Sequence, residues 1–200
     1  MPIKPLILPN EPELEAIDSW SAVKNDEGRY LAYLASIVPS HLSIVEIGSF
    51  QGRSTCYLAS GSRYGHQAPV YAVDPWDLNF PDGITGDQLY ANFQKNIQTI
   101  GVTALVHPLR GESARIVKGW NKPIGLLHID DGHEYDMVLE EYHDWFPHIA
   151  ENGWIVFHDC TWPDVNRVID ECVRNTDKWR VEPMPPTSHG LFVAQRTNVT

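Results

Sequence analysis

The sequence predicts an α/β fold with a seven-stranded, mostly parallel sheet, helices on both faces and a C-terminal antiparallel strand pair. Short apolar runs alternate with segments of helical apolar spacing along most of the 200 residues. Such alternation is typical of strand–helix–strand units and of a parallel sheet. The last two apolar runs have no helical segment between them. Because parallel neighbours require a long crossover, this last pair should be antiparallel and should lie at the sheet edge.

Each element follows from a local pattern. Apolar, β-branched runs predict strands at Ser43–Ser49, Val70–Val73, Ala104–Pro108, Ile124–Ile129, Trp154–His158, Trp179–Met184 and Leu191–Gln195. Helical apolar spacing predicts helices at Glu13–Val38, Ser54–Tyr64, Asp87–Ile100, Ser113–Gly119, Tyr135–Ile149 and Val165–Asn175. We expect residues 1–42 to form an N-terminal arm and helical lid region, and residues 43–200 to form one globular unit.

The composition indicates which classes of partner and which cellular compartment to expect. Lys and Arg number 15 against 26 Asp and Glu, which gives a formal net charge of −11. Nucleic acids and anionic membranes require a basic surface, so we expect neither as a partner. No apolar stretch is long enough to span a bilayer, and prolines break the first residues too often for a signal peptide. Three cysteines without paired spacing indicate reduced thiols. These features favour a soluble, cytoplasmic protein, and they leave an oligomer open.

The most informative segment is Ser43–Ser54, which begins as an apolar strand, contains Gly48 and Gly52, and ends just before a helical pattern. A strand that breaks at glycines and continues as a helix presents backbone N–H groups and a helix N-terminus to a ligand. Glycine lets that ligand approach the backbone closely. The segment therefore predicts a nucleotide-type cofactor site, although the two glycines could also serve only a tight turn.

Three more polar residues lie at predicted strand ends. Asp74 ends the second strand, Ser113 follows the third, and Asp130 ends the fourth. Open α/β sheets bind ligands in the crevice at these ends, where an acid such as Asp74 can accept hydrogen bonds from both ribose hydroxyls. Structural interpretations stay open: Asp74 as a turn acid, Ser113 as a helix N-cap, and the neighbouring Trp76 as either an adenine-stacking ring or a cap on the sheet edge.

In these segments the chain resembles the class I S-adenosylmethionine (SAM)-dependent methyltransferases, which have a Rossmann-like sheet of this kind. The likeness extends from Trp20 to about Gln195. It is closest to a small family that carries four short motifs. They stand here at Val45–Ser49, Gly52–Thr55, Ile129–Tyr135 and Phe157–Asp159. Metal-dependent catechol-type and sugar O-methyltransferases are similar in the same places.

The resemblance implies a cofactor site for SAM. Glu46 and Gly48 should line its methionine part, and Ser54 should hold its carboxylate. Asp74 should hold the ribose, and Ser113 should lie near the adenine. The predicted cofactor-binding set is completed by Ser49, Phe50, Gly52 and Asp130. Charge supports SAM, because nearby carboxylates favour its sulfonium and ammonium groups and would repel a dinucleotide pyrophosphate. The glycine spacing also departs from the dinucleotide pattern Gly-x-Gly-x-x-Gly.

A second polar group predicts the chemical site. The segments Asp130–His133 and His158–Cys160 end neighbouring strands, so their polar side chains should converge. Two carboxylates and an imidazole suit a hard divalent cation that also binds water and substrate oxygens. The resemblance implies metal ligands at Asp130 and Asp159, a general base at His133, and Mg²⁺ as the cation. The catechol-type enzymes have a ligating asparagine where this chain has Cys160, so the third protein ligand is unassigned, and we interpret His158 as a structural histidine.

The sequence therefore predicts a SAM-dependent methyltransferase that moves a methyl group to a hydroxyl of a small molecule, with metal-assisted deprotonation by His133. A non-catalytic or regulatory SAM-binding protein is one alternative, motivated by Cys160, and a dinucleotide-dependent oxidoreductase is another. The acceptor should be covered by Trp20–Arg29, Trp76–Gly83 and Cys160–Asp164. Their aromatic, acidic and amide groups suit a sugar-bearing or aromatic molecule.

Overall fold

The structure is a computed structural model that describes residues 5–17, 23–80, 83–183 and 190–197. Its strands are β1 (Ser43–Ile47), β2 (Val70–Asp74), β3 (Val106–Arg110), β4 (Ile124–Ile129), β5 (Ile149–Phe157), β6 (Trp179–Val181) and β7 (Phe192–Arg196). Its α-helices are α1 (Glu11–Glu15), α2 (Asn25–Ser36), α3 (Arg53–Tyr64), α4 (Gly86–Ile100), α5 (Ser113–Ile116), α6 (Tyr135–Trp145) and α7 (Pro163–Ile169). Short 3₁₀ turns at Val117–Gly119 and Phe146–His148 extend α5 and α6, and a π-helical turn at Asp170–Arg174 extends α7.

The seven strands form one sheet in the order β3-β2-β1-β4-β5-β7-β6. The first five strands in this order run parallel, and β7 is antiparallel to both β5 and β6. The predicted seven-stranded, mostly parallel sheet with a C-terminal antiparallel pair at its edge is thus confirmed. The order reverses between β1 and β4, which is the switch point where open α/β sheets bind ligands at the carboxyl ends of their strands.

The central strands are apolar because helices cover both of their faces. Every residue of β1 and of β4 is buried, as expected of strands inside a parallel sheet. On one face, α2, α3 and α4 contribute Leu31, Leu58 and Phe93 to the first hydrophobic cluster. On the other face, α6 and α7 contribute Trp145 and Val168 to the second cluster. The two layers fix the strand ends that carry the polar residues.

Helices α2 and α3 approach each other closely at a glycine. A Cβ atom on Gly61 of α3 would lie 2.1 Å from the carbonyl oxygen of Ala32 in α2. A side chain at position 61 would therefore separate the two helices. This contact joins the N-terminal helical region to the sheet domain. Within the ranges described above, no helix is long and apolar enough to cross a membrane.

Several sequence predictions of element bounds are corrected. Strand β3 lies two residues later than expected, β6 ends at Val181, and two differences are larger. The single helix expected over Glu13–Val38 is instead α1 and α2, because the Glu27 carboxylate accepts the Lys24 N–H at 2.9 Å and begins a new helix there. Strand β5 begins five residues earlier than expected, since Ile149 pairs with Ile124 ahead of a shift in register. The sequence also predicts a tight loop at residues 185–190 between the last two strands, and of these only Gly190 lies within the described residues.

Candidate functional site

The turn between β1 and α3 is built on two glycines in the left-handed region. Gly48 has φ 84° and Gly52 has φ 81°, values that glycine adopts without strain. A Cβ atom on Gly48 would lie 2.3 Å from the Asp130 carbonyl oxygen, and one on Gly52 would lie 2.7 Å from the Phe93 ring. Both glycines therefore have a packing role that is independent of any ligand.

A cavity of about 440 Å³ opens at the carboxyl ends of β1, β2 and β4. Eight predicted site residues line it: Gly48, Ser49, Phe50, Ser54, Asp74, Asp130, His133 and Asp159. Four others also line it: Leu78, Phe80, Asp131 and Gly132. Residues predicted for the cofactor and residues predicted for the acceptor chemistry thus share one cavity.

Glu46 lies beneath this cavity and is not among its lining residues. It is fully buried, accepts a hydrogen bond from Thr55 Oγ1, and lies 3.3 Å from His128 Nδ1. Burial raises the pKa of Glu46, but hydrogen bonds from His128, Thr55 and Ser54 outweigh burial and leave that pKa below its ordinary value. Because Ser54 lines the cavity, Glu46 is one side chain removed from it, and its contact with the methionine part of SAM stays a prediction.

Gly52 and Ser113 also lie outside the cavity wall. Gly52 is the N-cap of α3. Ser113 is the first residue of α5, whose N-cap is Glu112, so Ser113 is not itself the cap. The Ser113 hydroxyl instead lies 3.4 Å from Glu141 Oε1. Burial, reinforced by the nearby charge of Asp131, raises the pKa of Glu141 well above its ordinary value.

Asp74 combines the two interpretations that its sequence position allowed. Its Oδ2 accepts the Phe50 N–H at 2.8 Å and its Oδ1 accepts the Trp76 N–H at 2.7 Å, so the carboxylate fixes two turns while it lines the cavity. Burial raises the pKa of Asp74 to about 6, opposed by these two backbone hydrogen bonds and assisted by the charges of Asp131 and Glu46.

The indole of Trp76 has a structural role. It is 1% exposed, its Nε1–H donates to the Phe50 carbonyl at 2.6 Å, and its ring lies within 5 Å of the Tyr90 and Phe93 rings. A ring held on all sides in this way caps the core, so the structure favours the capping interpretation over adenine stacking.

The acceptor side of the cavity contains a chain of alternating imidazoles and carboxylates. His133 Nε2 lies 2.9 Å from Asp159 Oδ2. His158 Nδ1 lies 3.0 Å from Asp130 Oδ1 and 3.1 Å from the same Asp159 oxygen. His158 Nε2 lies 3.2 Å from Glu27 Oε2. His158 is therefore a buried histidine with a hydrogen bond to Glu27 and with Asp130 and Asp159 within ion-pair distance of its other ring nitrogen, which agrees with its interpretation as structural.

These contacts shift the pKa values of His158 and Asp159. Burial alone would lower the pKa of His158, but hydrogen bonds to Asp130, Asp159 and Glu27 raise it far above the ordinary value. Burial alone would raise the pKa of Asp159, but His158 and His133 lower it. The opposite shifts favour a His158 imidazolium beside an ionised Asp159, an arrangement that offsets the cost of burying both charges.

Asp130, His133 and Asp159 form a candidate cation site. Each offers one ligand atom, and these atoms all lie within 4.8 Å of one another. Carboxylate oxygens and an imidazole nitrogen form a donor set that divalent cations accept. His133 is thus a candidate for the third protein ligand, which the sequence left unassigned. The identity of the cation as Mg²⁺ stays a prediction.

An aromatic residue lies next to this site. The Trp162 ring stacks on the His133 imidazole with 4.5 Å between centroids and 27° between planes. Trp162 is 50% exposed and is the N-cap residue of α7. Its exposed face extends the acceptor side of the cavity toward solvent, within the segment predicted to cover the acceptor.

Sequence reasoning missed some of these residues for different reasons. Asp131 and Gly132 lie in the predicted Asp130–His133 segment but were assigned no role there, and both line the cavity. Leu78 and Phe80 lie in a segment that was predicted only as a cover. Glu27 gave no signal, because it reaches His158 across 131 residues of sequence through the packing of α2.

This sheet order, with its terminal antiparallel pair and a cavity at the ends of β1 and β4, is the architecture of the class I SAM-dependent methyltransferases. A family model described as a methyltransferase domain matches residues 45–160. Because the match spans more than half of the 200 residues, the chain belongs to this methyltransferase family.

Solved structures confirm the fold. An O-methyltransferase of Bacillus cereus in complex with S-adenosylhomocysteine (SAH) has a TM-score of 0.73 at 14% identity, over 96% of this chain and 93% of that chain. An O-methyltransferase of Streptomyces achromogenes involved in tomaymycin synthesis, in complex with SAM, has a TM-score of 0.71 at 15% identity, over 97% and 92% of the two chains. At these identities the likeness shows the fold alone.

A curated relative matches in sequence. An uncharacterized protein of Sinorhizobium fredii is 25% identical over 118 residues, which are 58% of this chain and 13% of that protein. The match therefore spans only a small part of the length of that relative.

Proposed function

We propose that the protein is a SAM-dependent O-methyltransferase whose acceptor is a hydroxyl group of a small molecule. One observation carries the proposal: a single cavity of about 440 Å³ contains both the glycine-turn residues and the acid–histidine group. Methyl transfer requires that donor and acceptor be held together in a defined orientation, and a shared cavity provides this. The solved O-methyltransferases of the same fold support the choice of oxygen.

The donor side suits SAM on two grounds. Ser49 Oγ is buried at the cavity and has no hydrogen-bond partner within the described part of the chain, so it is available to a polar ligand. The cavity is also lined by four carboxylates, Asp74, Asp130, Asp131 and Asp159, which favour a cation over a pyrophosphate. SAM supplies a methyl group on a positively charged sulfur. We assign its carboxylate to Ser54 and its ribose to Asp74.

On the acceptor side, His133 takes the proton of the hydroxyl. Asp159 holds one ring nitrogen of His133 at 2.9 Å, and the Trp162 ring fixes the imidazole plane. A histidine bonded to a carboxylate at one nitrogen presents the other to a substrate, and imidazole is the commonest general base in enzymes. The exposed face of Trp162 provides a surface for an aromatic or sugar-bearing acceptor.

We assign a divalent cation, expected to be Mg²⁺, to Asp130 and Asp159. The residues fit, since both carboxylates line the cavity and His158 holds each of them from below. Such a cation would polarise the acceptor hydroxyl and lower its pKa. His133 Nε2 already contacts Asp159. We therefore assign the role of general base to His133 and the role of cation ligands to the two carboxylates.

Ligand-induced thermal stabilisation tests the donor. A ligand that binds only the folded state raises the unfolding temperature. We expect SAM and SAH to raise it and NAD to leave it unchanged. A rise with NAD and none with SAM would overturn the proposed donor and favour an oxidoreductase.

Methyl transfer tests the acceptor side. A metabolite extract incubated with the protein and SAM should contain a product one methyl group heavier, detected by mass spectrometry. His133→Gln should lower its rate of formation by about 10²–10⁴-fold, the usual contribution of a general base. His143→Gln, at an exposed histidine of α6, should have no effect. A rate that is unchanged by a chelator and by Asp159→Ala would contradict the assigned cation.

A further inference from the structure

Glu27 is a buried carboxylate that joins three separate parts of the molecule. It lies in the first turn of α2 and is fully buried. It accepts the N–H of Lys24 at 2.9 Å and the N–H of Gly190 at 3.1 Å, and it lies 3.2 Å from His158 Nε2. A single side chain thus connects the N-terminal helix, the start of the last strand and the end of β5.

The partner of Glu27 at the site is His158, whose other ring nitrogen faces the cavity acids. His158 Nδ1 lies about equally far from Asp130 and Asp159, at 3.0 and 3.1 Å. Two carboxylates within ion-pair distance of one imidazole are kept close together despite their mutual repulsion. The orientation of the imidazole therefore fixes the distance between the two acids, and Glu27 fixes that orientation.

We propose that Glu27 is a positioning residue of the acceptor site, which acts through His158 to hold Asp130 and Asp159 in the arrangement that binds a divalent cation. The inference rests on the proposed function. Carboxylates that orient a histidine or a ligating side chain around a metal site generally matter for metal affinity, and their loss weakens it by roughly 10–100-fold. Helix α2 is then part of the site's framework as well as a cover over it.

Packing alone does not account for an acid at this position. A buried carboxylate is costly unless all of its lone pairs are used, and an apolar side chain would pack α2 on the sheet without that cost. The bonds of Glu27 to Lys24 and Gly190 fix where its carboxylate lies. Its bond to His158 transmits that position to the cavity, and both effects require the two carboxylate oxygens.

The test measures cation affinity apart from catalysis. Mn²⁺, a paramagnetic substitute for Mg²⁺, is titrated into the full chain and followed by electron paramagnetic resonance, with SAM affinity measured in parallel by calorimetry. Glu27→Gln should weaken Mn²⁺ binding about tenfold, at the lower end of the range for such partners, and should leave SAM affinity within about twofold, because Glu27 is not among the residues that line the cavity.

Glu11→Gln is the matched control. Glu11 is also a largely buried acid of the N-terminal region, and it bonds Arg29 of α2. None of the hydrogen bonds or ion pairs found for its side chain reaches a residue of the cavity. This variant should leave Mn²⁺ affinity unchanged. Glu27→Asp, which keeps the charge but withdraws it from His158, should weaken Mn²⁺ binding as Glu27→Gln does, and it provides the measurement if Glu27→Gln does not fold.

A double-mutant cycle separates positioning from general loosening. If Glu27 acts through His158, then Glu27→Gln should change Mn²⁺ affinity by about twofold or less when introduced into His158→Gln, whereas independent effects would multiply. A full tenfold loss in that background would overturn the inference, as would unchanged affinity of the single Glu27 variants. If the wild-type protein binds SAM but no Mn²⁺, the proposed cation and this inference both fail while the donor site stands.

Discussion

Four carboxyl groups in or near the cavity, three of them buried and Asp74 half-buried, have pKa values that shift in opposite directions. Burial raises the pKa of Asp74 and of Glu141, and neighbouring acids add to the rise. Burial also acts to raise the pKa of Glu46 and of Asp159. Each of these acids contacts a histidine, however, and its pKa is lowered below the ordinary value. A histidine within hydrogen-bond distance is therefore what separates the acids with a lowered pKa from those with a raised pKa.

The raised pKa of Asp74 predicts a pH-dependent affinity for SAM. Burial raises the pKa of Asp74 to about 6, and in the proposed donor site the ionised form would accept the ribose hydroxyls and attract a cation. SAM affinity should therefore be full above that pH and fall as the pH drops through it, by up to about tenfold per unit. Calorimetry between about pH 5 and pH 8 measures this effect.

Two variants assign the effect to that carboxyl group. Asp74→Asn should bind SAM more weakly at about pH 8 and should lose most of the pH dependence. Asp77→Asn, at an exposed acid of the same loop, should behave as the wild type. An equal pH dependence in Asp74→Asn would show that another group titrates.

Glu141 should make the empty protein less stable as the pH rises. Its pKa is raised well above 4.5, first by burial and then by the charge of Asp131. The unfolded chain releases this proton at lower pH than the folded chain, so unfolding is favoured as the pH rises above the ordinary value. Glu141→Gln removes that contribution. Relative to the wild type, the free energy of unfolding of this variant should rise by up to about 1.4 kcal/mol per pH unit between the unfolded-state and folded-state pKa values of Glu141.

Urea unfolding of both proteins at about pH 5 and pH 8 measures this difference. Glu140→Gln, at the exposed neighbour on the same helix, provides the control and should track the wild type at both pH values. A Glu141→Gln difference that does not change with pH would contradict the raised pKa.

At the scale of the element, local patterns located the strands well and the N-terminal helices poorly. The bounds of β4 were predicted without error, because the strand is buried throughout and is flanked by Pro123 and Asp130. The break between α1 and α2 was missed, because it depends on the Glu27 side chain, which accepts the Lys24 N–H. The spacing of apolar residues does not predict a side-chain contact of this kind.

The same distinction applies to the candidate site. Asp130, His133 and Asp159 could be predicted because parallel strands bring their ends together, so position in the chain implies position in space. Glu27 and Glu141 could not be predicted, since helix packing brings them against His158 and Ser113 and no local spacing records these contacts. The order of the strands was therefore enough to predict the cavity residues, whereas the contacts of Glu27 and Glu141 are visible only in the structure.

Because α2 and α3 are in close contact at Gly61, adding one methyl group there should lower the stability of the protein. Gly61→Ala would place a Cβ atom 2.1 Å from the Ala32 carbonyl, so the helices must separate. We expect a loss of about 1–3 kcal/mol in the free energy of unfolding, as for other overpacked sites. Gly119→Ala, where a Cβ meets nothing within 4 Å, should be neutral or stabilising by up to about 1 kcal/mol.

Urea unfolding compares these two glycine variants. Because α2 carries Glu27, a folded Gly61→Ala protein should also bind Mn²⁺ more weakly than Gly119→Ala does. Equal stability of the two variants would contradict the close packing of α2 on α3.

Across the whole molecule, the charge distribution suits a cationic methyl donor. The chain has a formal net charge of −11, and four aspartates line the cavity. Clefts lined by one sign of charge concentrate ligands of the opposite sign. SAM carries one positive charge more than SAH, which is what remains when the methyl group leaves. The same field that attracts the donor therefore favours release of the product.

This difference in charge predicts a difference in salt dependence. Raising the ionic strength from about 0.05 M to about 0.5 M shortens the screening length to well under 10 Å, so the long-range attraction should be largely lost. We expect SAM affinity to fall severalfold and SAH affinity to change by less than about twofold. Calorimetry with both ligands at both salt concentrations measures this, and the zwitterionic SAH serves as the internal control for non-electrostatic effects of salt. Equal losses for the two ligands would contradict electrostatic selection. An unchanged SAM affinity would mean that only the buried carboxylates next to the ligand, which salt screens poorly, distinguish donor from product.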